Sequence, residues 1–310
     1  MLHRIVFSLC ILTFVIQSHS QALVTNEWMK ALSDSLPLNR ISIPGTHDSG
    51  ALEGGEAFQT QDITISEQLE AGVRCFDIRL KACDDGGLGV YHSIVFQDAY
   101  WEADLLPTFI TFLKAHPTEA LIVMVKKEGG DSKAFSDLLS KSLCDVQHKE
   151  LFITHFTKDL TLGECRGRIL LLHRDQLLAD YPGAQCHGWK DNATFSATLK
   201  GTNGAEAPMS VEDEYQFASS ESASYKVETT WKHLQLAGTS ATTSRTWHIS
   251  YASATALPEE GPISFATPVN AQLAHLTSTL SHPCGILLID FAGSDAGRRV
   301  IKNLIRANLP

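Results

Sequence analysis

LIVMVKKE, residues 121–128, decides the fold. Five apolar residues run without alternation, and charge arrives only at Lys126, Lys127 and Glu128. A strand with one wet face would alternate, so a continuous apolar run fits a parallel strand buried on both faces. GRILLLHR (167–174) and GILLIDF (285–291) repeat the design, ending in Arg174 and Asp290. TWHISYAS (246–253), RCFDIRL (74–80) and LGVYHS (88–93) are further strand candidates. Helical spacing lies between them: Leu106, Phe109, Ile110 and Leu113 behind Asp104 as a cap and ending at Pro117; Phe135, Leu138 and Leu139; and Val300, Ile301, Leu304 and Ile305 behind Ser294.

Strands alternating with helices give an α/β fold. No GxGxxG follows a first strand, and polar residues collect at the C-terminal ends of many strands, where a closed barrel builds its site. The expectation is therefore a single distorted TIM-type (β/α) barrel over residues 21–310. The Gly/Ser/Thr-rich stretches 200–226 and 236–246 read as long loops of that barrel, and no repeat or second domain is expected.

The start of the chain belongs to a different class. MLHR carries early positive charge, IVFSLCILTFVI is an apolar run too short to span a bilayer comfortably, and QSHS supplies small residues for cleavage. Residues 1–20 read as a signal peptide cleaved after Ser20, which predicts a secreted protein. The formal net charge of −10 argues against wholesale nucleic-acid binding. Of seven cysteines, Cys10 leaves with the leader. No Cys/His spacing suggests zinc. Cys75 and Cys83, separated by an extended strand, are too far apart to bridge, and a Cys144–Cys165 disulfide is expected. Asn192-Ala193-Thr194 is a glycosylation sequon.

ISIPGTHDSG (41–50) is the most informative stretch for chemistry. Its apolar alternation suits a strand, which Pro44 and Gly45 are expected to break just before His47 and Asp48. Strand alternation puts Cys75, Asp77 and Arg79 on one face, with Cys75 a buried free thiol. His92, Lys126, Glu128, Arg174 and Asp290 stand at other strand ends. Each alone could be ordinary surface polarity or a structural histidine. Together, two histidines can divide base and acid work near neutral pH, and an arginine between them offers a fork of donors to a phosphate. That set suits displacement at phosphorus.

ISIPGTHDSG, GVRCFDIR, the Tyr91-His92 pair, VMVKKE, GRILLLHR, WKDNATF, VEDEY and LLIDF together resemble, in order, the bacterial-type phosphatidylinositol-specific phospholipase C (X-domain) family. The resemblance implies that His47 is the general base toward the inositol 2-hydroxyl and that Asp290 orients it. It implies that Arg79, held by Asp77, neutralises the phosphoryl oxygens, and that His92, assisted by Asp48, protonates the diacylglycerol oxygen. Lys126, Glu128, Arg174 and Asp213 would read the inositol hydroxyls, with Tyr215 stacked on the ring. Arg79 would stand in for the calcium of animal-type relatives, so no cofactor is expected. The implied substrates are phosphatidylinositol or glycosylphosphatidylinositol anchors at a membrane surface; the sequence itself gives no sign of an oligomer, so a monomer is expected. The chain departs from the family between residues 51 and 72, where Phe58 is the one aromatic, and after His92. There Phe96, Tyr100 and Trp101 either form a substitute membrane-docking rim or pack against the barrel. Two other readings stay open: a metal-dependent glycerophosphodiesterase or sphingomyelinase-D-like enzyme, disfavoured by a central arginine, and a non-catalytic inositide-binding protein, disfavoured by the paired histidines.

Overall fold

A computed structural model describes residues 23–145, 148–175, 177–178, 181–240 and 243–309. The leader read over 1–20 lies outside the described residues. The strands are β1 (Ile43–Thr46), β2 (Cys75–Ala82), β3 (Leu88–His92), β4 (Val95–Tyr100), β5 (Leu121–Lys127), β6 (Ile169–His173), β7 (Ala184–His187), β8 (Ala193–Gly201), β9 (Glu206–Asp213), β10 (Trp247–Tyr251) and β11 (Ile286–Ile289). The helices are α1 (Gly55–Phe58), α2 (Ile65–Ala71), α3 (Leu106–Ala115), α4 (Ser132–Leu143), α5 (Leu162–Cys165), α6 (Ala223–Thr239), α7 (Pro262–Thr277) and α8 (Asp295–Arg306).

The barrel expected from the sequence is present. Its wall runs β1-β11-β10-β9-β8-β7-β6-β5-β2, and β2 pairs back with β1 to close it. The β3–β4 hairpin extends outward from β2. Every neighbouring pair in the ring is parallel except β7–β8 and β8–β9, so β8 alone runs the other way. No helix separates β7, β8 and β9 among the described residues. Phe195 and Leu199 of β8 are buried while Thr194, Ser196 and Lys200 are exposed, the alternation of a strand with one solvated face. On β2, Asp77 and Arg79 face the barrel interior, and Phe76 packs on Phe109 of α3 at 5.1 Å.

Several local expectations are corrected. Pro44 and Gly45 lie inside β1 and do not end it. Pairing of β1 with β2 begins only at Gly45, so the N–H that proline lacks falls where no ladder partner waits. Gly45 sits in a crowded place: a Cβ there would stand 3.1 Å from both Cys75 and Leu288, so a neighbour would have to give way. The segment read as a loop over 200–226 contains β9 and the start of α6, and 236–246 begins inside α6. Asp104 does not cap α3; the helix is entered through a wide π-helical turn (Trp101–Leu105), and the Asp104 carboxylate accepts from Tyr100 N–H. Ser294 does cap α8, accepting from Gly297 N–H. Cys165 is a buried free thiol, so the expected Cys144–Cys165 bridge is not formed; Cys144 is exposed on a different helix end. Trp101 is no docking residue. It is fully buried, with its indole N–H donated to Ser142 Oγ. Tyr100 is tied to Asp85, and Phe96 packs between Tyr91 and Tyr100.

Candidate active site

The C-terminal strand ends surround a cavity of about 560 Å³. His47, Arg79, His92, Lys126, Glu128, Arg174, Asp213, Tyr215 and Asp290 line it, so nine sequence-predicted residues meet in one place. The other two, Asp48 and Asp77, lie fully buried beneath Arg79.

One line of polar contacts crosses the floor. Asp290 follows β11, and its Oδ1 is 2.8 Å from His47 Nδ1. His47 follows β1, and its Nε2 lies 2.8 Å from Arg79 Nη2. Because a guanidinium only donates, Nε2 carries the lone pair and Nδ1 the proton. Arg79 Nε is 3.4 Å from Asp48 Oδ2, which in turn is 3.6 Å from His92 Nε2. His92 Nδ1 donates to the Phe58 carbonyl at 2.6 Å, leaving Nε2 turned toward Asp48. Base and acid candidates thus stand at either side of one guanidinium.

Local backbone produces this aim. Asp48 has φ +40°, an αL conformation tolerated by aspartate, which turns its carboxylate under Arg79. Gln61 clamps the two strands carrying the Asp290–His47 pair, donating to the carbonyls of both His47 and Ile289. Asn270 holds the Asp290 carbonyl.

Burial sets the electrostatics. It pushes the His47 imidazole well below its usual range, and the nearby Arg79 charge adds to this. Burial raises the Asp48 carboxyl to about 6, opposed by Arg79 and His92. Burial likewise raises Asp290, with the Asp48 charge adding to the effect. Burial disfavours the Arg79 charge, but Asp48 and Asp77 outweigh it and hold the guanidinium cationic. Both Asp48 oxygens, Asp77 Oδ1 and Asp290 Oδ2 lack hydrogen-bond partners. Such orphaned buried acceptors are costly, and here they surround one arginine.

The second half of the cavity is a ring of paired polar groups. Lys126 Nζ meets Glu128 Oε2 at 3.0 Å, and Arg174 Nη2 stands 3.5 Å from Asp213 Oδ2. Tyr215 donates its hydroxyl to Asp191. Sequence reasoning missed Trp189 and Tyr251. The Arg174 guanidinium lies 3.9 Å over the Trp189 ring, and Tyr251 meets His47 edge-on. Tyr251 closes the TWHISY strand, so its position was readable; the wall formed by Ser253, Thr255 and Leu257 carried no sequence signal.

The PI-PLC X family model matches residues 37–149. A 1-phosphatidylinositol phosphodiesterase of Listeria monocytogenes is 28% identical over 298 residues, 91% of this chain and 86% of that one. The enzyme of the same description from Staphylococcus aureus is 32% identical over 204 residues, 61% of this chain and 64% of its own length. Among solved structures, a phosphatidylinositol-specific phospholipase C of S. aureus superposes with a TM-score of 0.77 at 26% identity, covering 93% of this chain and 98% of that one. The L. monocytogenes enzyme superposes with a TM-score of 0.73 at 26% identity, covering 92% and 99%. Together with the strand-end constellation, these likenesses make the chain similar, over about nine-tenths of its length, to the bacterial-type phosphatidylinositol-specific phospholipases C.

Proposed function

We propose that this protein is a secreted, monomeric phospholipase C that cleaves phosphatidylinositol, or the same bond in glycosylphosphatidylinositol anchors, without a metal. The observation that carries the reading is the Asp290–His47–Arg79–Asp48–His92 line of contacts. His47 Nε2 takes the proton of the inositol 2-hydroxyl, whose oxygen forms a bond to phosphorus. The phosphorus–glycerol oxygen bond breaks, and that oxygen receives a proton from His92. The products are diacylglycerol and inositol 1,2-cyclic phosphate. An internal nucleophile needs no second molecule to be positioned, which removes much of the entropic barrier.

Arg79 carries the charge stabilisation. Its guanidinium sits between both histidines, where donors aimed at developing phosphoryl charge act in a low-dielectric site. Supported by Asp48 and Asp77, it supplies the charge that a divalent cation would otherwise bring. Lys126, Glu128, Arg174 and Asp213 present donors and acceptors for ring hydroxyls, and Tyr215 offers a flat face beside them.

Export is supported by the leader-like residues 1–20. With Trp101 buried, contact with a lipid surface falls to other residues. Ile94, at the tip of the β3–β4 hairpin just beyond His92, is 83% exposed, and Leu257 on the cavity wall is 44% exposed.

Phosphorus NMR of the protein with phosphatidylinositol in detergent, chelator present, tests the reading. Inositol 1,2-cyclic phosphate is the expected product, absent with His47→Ala. Activity that vanishes in chelator and returns with calcium overturns the metal-free mechanism.

A further inference from the structure

The wall carrying Asp213 and Tyr215 is held from outside the cavity. β9 pairs with β8 as far as Asp213 and with β10 as far as Glu212, and the chain then leaves the sheet. Two clamps replace the ladder there. Lys226 of α6 is fully buried, and its ammonium is 2.6 Å from Glu212 Oε1 and 2.7 Å from the Glu214 carbonyl. One cation therefore grips the residues on both sides of Asp213. Thr230, one turn further along α6, donates to the other Glu212 oxygen at 2.8 Å. The second clamp is Asn192, whose side-chain oxygen accepts from the backbone N–H groups of Tyr215 and Gln216 at 2.8 and 2.9 Å. None of Glu212, Lys226, Thr230 or Asn192 lines the cavity.

A buried lysine–glutamate pair is a poor stabilising device. Desolvating two charges costs about as much as their attraction returns, and apolar residues of similar volume often do as well. Its value lies in geometry: an ion pair with fixed hydrogen bonds admits one arrangement where an apolar contact admits several. Here that arrangement fixes where the Asp213 carboxylate points, 3.5 Å from the Arg174 guanidinium.

We propose that Glu212, Lys226 and Asn192 are positioning residues that hold Asp213 and Tyr215 against Arg174, and so set the affinity of the cavity for a cyclic polyol head group. This rests on the reading of the cavity given above. The residues act through the pocket wall and leave the reacting phosphate alone, so binding should suffer and chemistry should not.

The test uses the full chain carrying Lys226→Met with Glu212→Leu, which removes both charges and leaves neither stranded. Initial rates are measured on phosphatidylinositol in mixed micelles, with free myo-inositol as competitor. KM and the myo-inositol inhibition constant are each expected to rise about tenfold, with kcat within about twofold of the unaltered protein. Asn192→Gly, which suits the φ of +47° at that position, should produce the same split independently, so the test survives if the double variant does not fold. Unchanged KM and inhibition constants in a folded variant, or a fall confined to kcat, overturn the proposal. If the unaltered protein neither cleaves phosphatidylinositol nor binds myo-inositol, the reading of the cavity fails, and this inference falls with it.

Discussion

Arg74 and Arg79 lie on the same stretch of chain, face opposite ends of the barrel, and live in opposite states of satisfaction. Arg74, just before β2, is fully buried, and every terminal nitrogen is used. It bonds Glu119 at 2.9 Å and the carbonyls of Leu69, Val73 and Asn26. Arg79 donates one hydrogen bond, to His47, while its Nε, both Asp48 oxygens and Asp77 Oδ1 are left without hydrogen-bond partners. A saturated arginine has nothing to offer a ligand. An unsaturated one, ringed by acceptors it does not fully bond, is free to exchange partners. The N-terminal end of this barrel holds the fold together, and the C-terminal end keeps hydrogen-bonding capacity in reserve.

The same substitution at both positions tests that contrast. Arg79→Lys keeps the charge but loses the fork, and kcat/KM on phosphatidylinositol should fall about 10³-fold while the melting temperature stays close to that of the parent. A loss of stability without loss of rate would reverse the assignment. Arg74→Lys should do the opposite: about 3 kcal/mol of unfolding free energy lost in urea titration, with kcat/KM per folded molecule within about twofold. Asp290→Asn should lower kcat about 10²-fold with KM little changed, because His47 loses the acceptor that fixes its tautomer. An unaltered kcat would mean that Gln61 and burial alone aim the ring.

The smallest effect concerns pH. The Asp48 carboxyl is raised from 3.8 to about 6, so between those values the folded state holds a proton that the unfolded state has released. Its contribution favours folding most below about pH 4 and is lost as pH rises through 6. Ionised Asp48 is thus a strain on the fold at neutral pH, and Asp48→Asn should stabilise the protein by about 1–2 kcal/mol at pH 7.5 while slowing turnover. Thermal melts of parent and variant at pH 4 and pH 7.5 check this, and a variant less stable at the higher pH would show that Arg79 needs the carboxylate more than burial opposes it.

The parts of the molecule readable in sequence share one physical cause. Strands buried on both faces admit few polar residues, so those that interrupt the pattern at Arg79, Lys126, Arg174 and Asp290 stand out, and the structure gathers them around one cavity. The Ser294 cap was legible because its hydroxyl does a local job. Positions governed by neighbours distant in sequence were harder. β8 alternates cleanly from Ala193 to Gly201, but without a helix beside it nothing marked its place in an α/β ring. Pro44 looks like a strand breaker until the late start of the β2 ladder is known. Trp101 reads as interfacial in isolation, and only its contacts with Ser142 and Phe109 reveal a core residue.

The short contact between Arg79 and His47 has a consequence for the resting protein. The lone pair that would accept the substrate proton is already engaged by a guanidinium N–H. In the proposed reaction an incoming phosphate diester would compete for that guanidinium, and in drawing it away would uncover the nitrogen. On that mechanism the group that is to be cleaved would also act as the key, and a polyol without a phosphate would meet an interlocked base.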